Sequence, residues 1–136
     1  MATLTLDDAT LITTAALTQA GDLGIQVTIT VVDGGGNVRT QTRMDGARFG
    51  TLNVSANKAF TAAAFGAPTK VLSDLVQPGA PLYGFADAMG GRFVSFAGGI
   101  PLVRGDEVIG AIGISGGSVD QDQAVADAGA TALPSI

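Results

Sequence analysis

A chain of 136 residues, 46% apolar and only 14% charged, is long enough for one domain spanning residues 1–136, and the shortage of charge predicts a surface partly covered in a homo-oligomer. A net charge of −5 with seven basic residues excludes nucleic acid as a partner. Neither Cys nor His occurs, which removes disulfides, thiol catalysis, Ser-His pairs and the commonest metal ligand.

The opening MATLTLDDAT lacks the basic-then-apolar order of a signal peptide, and no apolar run approaches the roughly 18 residues that cross a bilayer. A cytoplasmic protein without a membrane partner is expected. TLTLDDATLITTAALTQAGDLG reads as a first helix, with Thr5 and Asp8 at capping-box spacing and Leu6, Ile12, Ala16, Leu17 and Ala20 as its apolar stripe. IQVTITVVD alternates as a half-buried strand, DGGGN turns, and VRTQTRM returns as a more polar strand, completing a hairpin. In ARFGTLNVSANKAFTAAAF, Phe49, Leu52, Ala56, Phe60 and Ala63 share one helical face, opposite Thr51, Ser55, Lys58 and Phe65. TKVLSDLV makes a short third helix, and QPGAPLYGFADAMGG is a loop of the length that often carries function. RFVSFAG, IPLVR and EVIGAIGIS follow as an antiparallel meander, and SVDQDQAVADAGATAL closes the chain as a helix capped by Ser118 and Gln121. The order α-ββ-αα-βββ-α predicts an α+β domain: a five-stranded antiparallel sheet between helices, in three layers.

Gly113-Ile114-Ser115-Gly116-Gly117 spells the G-x-S-x-G of a hydrolase elbow, but no histidine is present to take the serine's proton. Ser115 therefore reads as the end of a strand, with the neighbouring glycines permitting close approach by a helix or a ligand. DGGGN reads as a hairpin turn, and no P-loop sequence occurs. Lys58 lies mid-helix between Asn57 and Thr61. It is either solvated or a pocket cation that pairs with a ligand carboxylate or, once desolvated, acts as a base. Tyr83 sits with Phe85 in the long loop. The carboxylates show no metal-site spacing, so no metal site is expected.

At NKAFTAAAFGAPT, PG…LYG, FAGGIPL and GDEVIGAIGISGGSVDQDQAVADAG the chain resembles the GlcG/HbpS family, also called the haem-degrading or DUF336 family, over nearly its whole length. The resemblance implies a profilin-like α/β/α sandwich that assembles as dimers or larger rings. It also implies that haem is a possible ligand and that a related domain is appended to certain cobalamin adenosyltransferases. Taken together, these readings predict a small-molecule-binding protein for an organic acid, a carbonyl compound or a tetrapyrrole. Its expected site is an apolar pocket formed by Lys58, Thr61, Phe65, Tyr83, Phe85, Gly98, Gly99, Ser115 and Gly116. The alternative is a cofactor-independent enzyme, a lyase or isomerase in which Lys58 moves a proton. Haem is disfavoured because His and Cys are absent, leaving Tyr83, Met44, Met89 and, at the terminus, Met1 as conventional iron ligands. Its propionates would look to Lys58, Lys70, Arg39, Arg43 and Arg48.

Overall fold

The computed structural model describes residues 3–135, so Met1 lies outside them. The elements run α1 (Leu6–Leu23), β1 (Thr28–Asp33), β2 (Val38–Arg43), α2 (Gly50–Phe65), α3 (Thr69–Leu72), β3 (Gly99–Arg104), β4 (Glu107–Ser115) and α4 (Val119–Thr131). Short 3-10 segments cover Ser73–Val76 and Phe85–Gly91. Both expected capping boxes are present, Thr5 with Asp8 and Ser118 with Gln121. No helix among the described residues is long and apolar enough to cross a membrane.

The sheet is antiparallel in the order β2-β1-β4-β3 and has four strands, not five. The expected strand over residues 92–98 does not form, because its backbone groups are used elsewhere. The Val94 N–H donates to the Thr61 hydroxyl at 2.9 Å, and the Phe96 carbonyl accepts from the Thr69 hydroxyl at 2.7 Å. Two threonines on α2 and α3 thus hold this segment against the helices and keep it off the edge of β3.

One face of the sheet packs on α1 and α4. Ile29 and Val31 of β1, with Ile112 and Ile114 of β4, join Ile12 and Ala16 of α1 and Val125 and Ala126 of α4 in the main core. Leu6 is not part of that stripe; it points outward from the first turn, half exposed. The other face lies under α2 and is built from small residues. The Thr28 and Thr51 hydroxyls pair at 2.7 Å, as do those of Thr30 and Ser55. Val32 and Ala111 meet Ala59 and Ala62. Gly113 lets the helix approach closely, since a Cβ there would run into the Ser55 carbonyl.

That small-residue face reverses the expected orientation of α2. Ser55, Lys58, Ala59, Thr61 and Ala62 are its buried residues, while Phe49 is 81% exposed. A helix this close to a sheet has room beneath it for alanines and hydroxyls, so the phenylalanines are turned out.

Candidate functional site

Thr28 pairs with Arg43 on one side and Ser115 on the other, so β1, β2 and β4 reach the same end of the sheet. Three reversals therefore converge there: residues 24–26 ahead of β1, residues 46–48 ahead of α2, and residues 116–118 ahead of α4. They enclose an open cleft of about 530 Å³, whose lining includes Gln26, Arg48, Thr51, Gly116, Ser118 and Gln121. The lining is largely polar, not the apolar pocket expected, and the Tyr83 loop is not part of it. Arg48 is exposed and has no ion-pair partner among the described residues. The amides of Gly117, Ser118 and Gln121 already donate to Asp122, Gln121 and Ser118, so the guanidinium is the group here that suits a carboxylate.

Of the residues predicted for the site, Gly116 lines this cleft, and Ser115 ends β4 directly before it, 8% exposed. Lys58 is 1% exposed, which rules out a solvated helix face. Its ammonium donates to the Ile114 carbonyl at 2.7 Å and to Asp122 Oδ2 at 3.1 Å, with the Phe96 ring centroid 5.0 Å away. Burial pushes the Lys58 pKa down and the Asp122 pKa up, and the attraction between the two charges opposes both shifts. A ligand reaching this ammonium would have to displace two partners.

Thr61, Gly98 and Gly99 gather at the other side of Lys58 as packing elements. Thr61 donates to the Asn57 carbonyl at 2.7 Å, Gly99 N–H donates to Thr69 at 2.9 Å, and Gly98 N–H donates to Gln123 at 3.1 Å. Gly98 has φ +123°, and a Cβ there would lie 2.7 Å from the Lys58 ammonium nitrogen. Phe65 and Phe85 do meet, at 5.4 Å between centroids, in a cluster with Phe93 and Phe60 on the outer side of α2, where Arg92 lies 3.5 Å over the Phe60 ring. Tyr83 is 69% exposed.

Residues 24–26 and the pairing of Asp122 with Lys58 carry no signal in the sequence. Asp122 reads from sequence as a dipole-favouring acid in a first turn, and a partner 64 residues away leaves no local signal. Arg48 was visible only as one of three nearby arginines.

For haem, the donors among the described residues do not meet at the cleft. The sulfur of Met44 accepts from the Val27 N–H at 3.4 Å and packs against the core, while Met89 and Tyr83 are exposed on the far loop. Among the described residues no group of three or more Asp or Glu side chains converges. The residues at the cleft suit a propionate better than an iron.

Fold and site together define a small α+β domain with an antiparallel sheet and a polar, cation-bearing cleft at one sheet end. The chain belongs to the family described as haem degrading protein HbpS-like, whose model matches residues 4–131. It is 41% identical over 127 residues to a 15.0 kDa protein of the dhaT-dhaS intergenic region in Citrobacter freundii, covering 93% of this chain and 89% of that one. It is 39% identical to the corrinoid adenosyltransferase PduO of Salmonella typhimurium, covering 96% of this chain but only 39% of PduO. Among solved structures, Klebsiella pneumoniae ORFY superposes with a TM-score of 0.97 at 35% identity, covering 100% of this chain and 94% of ORFY. A PduOC:heme complex superposes with a TM-score of 0.94 at 39% identity, covering 97% of this chain and 96% of PduOC.

Proposed function

We propose that this chain is a cytoplasmic small-molecule-binding protein on a profilin-like three-layer scaffold, taking a carboxylate-bearing organic ligand in the cleft at Arg48. The observation that carries this reading is that Arg48, without an ion-pair partner among the described residues, lines a cleft of about 530 Å³ together with the Gly116–Ser118 reversal. Tetrapyrroles fall within the same class through their propionates, and the haem complex of the PduOC relative favours them. Because no conventional iron ligand among the described residues lines the cleft, the reading predicts that metal-free protoporphyrin IX binds about as well as haem. The proton-transfer enzyme is supported less, since the Lys58 ammonium is buried between two acceptors.

Absorbance titrations with haem and with protoporphyrin IX, beside calorimetry with succinate, test this. Saturable binding of at least one is expected, weakened roughly 10- to 100-fold by Arg48→Gln, the loss of one charge-assisted hydrogen bond. Haem binding that far exceeds porphyrin binding and disappears in Tyr83→Phe would restore ligation through iron. No saturable binding of any of the three would reject the cleft as the site.

The same reading includes self-association. No residue from 73 to 97 is buried, yet this stretch carries Leu75, Leu82, Tyr83, Met89 and Phe96, all exposed. Apolar surface on this scale is what a further subunit covers. Sedimentation should give a dimer or larger species; a single species of 13.5 kDa at micromolar concentration would refute it.

A further inference from the structure

We infer that the buried Lys58–Asp122 pair is a positioning device for the cleft, using the second oxygen of the same carboxylate to fix the Gly116–Gly117 backbone that forms part of its wall. The inference rests on the cleft being the binding site. Asp122 Oδ2 accepts from Lys58 at 3.1 Å, and Oδ1 accepts from the Gly117 N–H at 2.8 Å. The same ammonium donates at 2.7 Å to the carbonyl of Ile114, just before the reversal begins. Lys58 thus holds the chain on both sides of Ser115 and Gly116: directly at Ile114, and through Asp122 at Gly117.

Stability alone does not account for this arrangement. A buried ion pair can often be replaced by apolar residues of similar volume at no cost. An apolar pair, however, could not accept from Gly117. A carboxylate can receive the ammonium and the amide at once, and the ammonium keeps that carboxylate turned inward. Gly98 is the accommodating element, because a Cβ there would collide with the ammonium. Lys58 and Asp122 then act on a ligand only through the backbone they hold.

Two double variants separate charge from positioning. Lys58→Met with Asp122→Asn removes both charges but keeps an oxygen for Gly117, whereas Lys58→Met with Asp122→Leu removes that acceptor. Protoporphyrin IX affinity and amide exchange at Gly117 are measured in each, with folding followed by circular dichroism. The Asn form loses the ammonium's hold on Ile114 but keeps the acceptor for Gly117, so it should lose about threefold in affinity and in Gly117 protection. The Leu form should lose roughly tenfold or more in both. Equal behaviour of the two forms overturns the inference, as does faster exchange with unchanged affinity. If the unaltered protein does not bind the porphyrin, affinity is read with succinate instead; if it binds neither of these nor haem, the cleft reading falls, and Gly117 exchange alone decides whether the pair fixes the backbone. Should the Leu form fail to fold, the unaltered protein still decides. A scalar coupling across the hydrogen bond from the Gly117 amide nitrogen to the Asp122 carboxyl carbon is expected, and its absence overturns the inference.

Discussion

On the face of the sheet toward α1 and α4, Ile29, Val31, Ile112 and Ile114 bury branched apolar side chains against Ile12 and Val125. On the face toward α2, Thr28, Thr30, Val32, Ala111, Gly113 and Ser115 present hydroxyls, small side chains and bare backbone. The first face is held by apolar burial, which stabilises without fixing a direction. The second is held by pairs with defined geometry, Thr28 with Thr51 and Thr30 with Ser55. Thr51 also lines the cleft. The apolar face therefore supplies most of the stability, and the polar face sets where the cleft's groups stand.

The largest effect should come from breaking the pair at the end of the polar face. Lys58→Met alone leaves Asp122 charged and buried, at about 3–5 kcal/mol in a urea denaturation experiment. A cost below about 1 kcal/mol would show that water reaches the carboxylate. Next comes Ile112→Ala on the apolar face, fully buried, at about 2–5 kcal/mol. Its affinity for protoporphyrin IX should not change; a large loss of affinity would erase the distinction between the faces.

Thr30→Val should cost only about 1 kcal/mol, because Ser55 and Gln41 each keep the Leu52 carbonyl as an acceptor. It should nevertheless weaken binding more than Ile112→Ala does, by loosening the start of α2. The smallest effect concerns Asp8, far from the cleft. The Thr5 backbone N–H, together with the Thr5 hydroxyl and Arg104, holds its carboxyl below the ordinary value of 3.8. A lowered folded-state pKa gives stability that is present above that ordinary value and is lost as pH falls through the lowered one. Asp8→Asn should therefore flatten the fall of melting temperature between about pH 4 and pH 2. An unchanged acid limb would contradict this.

Elements whose signal is local were legible in the sequence. The two capping boxes, the hairpin and β4 over Glu107–Ser115 are found where periodicity and spacing put them. What failed depended on partners distant in sequence. Phe49, Leu52 and Phe60 resemble a buried stripe, but glycine and threonine on the sheet bring α2 so close that its small side faces inward. Residues 92–98 resemble a strand, but Thr61 and Thr69 take up backbone groups that a strand would have paired. At the cleft, Gly116 was legible from residue types as a glycine of close approach, and it lines the wall. Arg48 became distinguishable from Arg39 and Arg43 only once three reversals met around it.

The most direct test is to map the ligand on the assigned amide spectrum of the intact chain during titration with protoporphyrin IX. The account predicts saturable shifts at Gln26, Gly46–Arg48 and Gly116–Ser118, with those at Gly116 and Gly117 reduced in Arg48→Gln. Shifts centred instead on Phe65, Tyr83 and Phe85, with the cleft unmoved, would contradict it and place binding on the exposed aromatic surface.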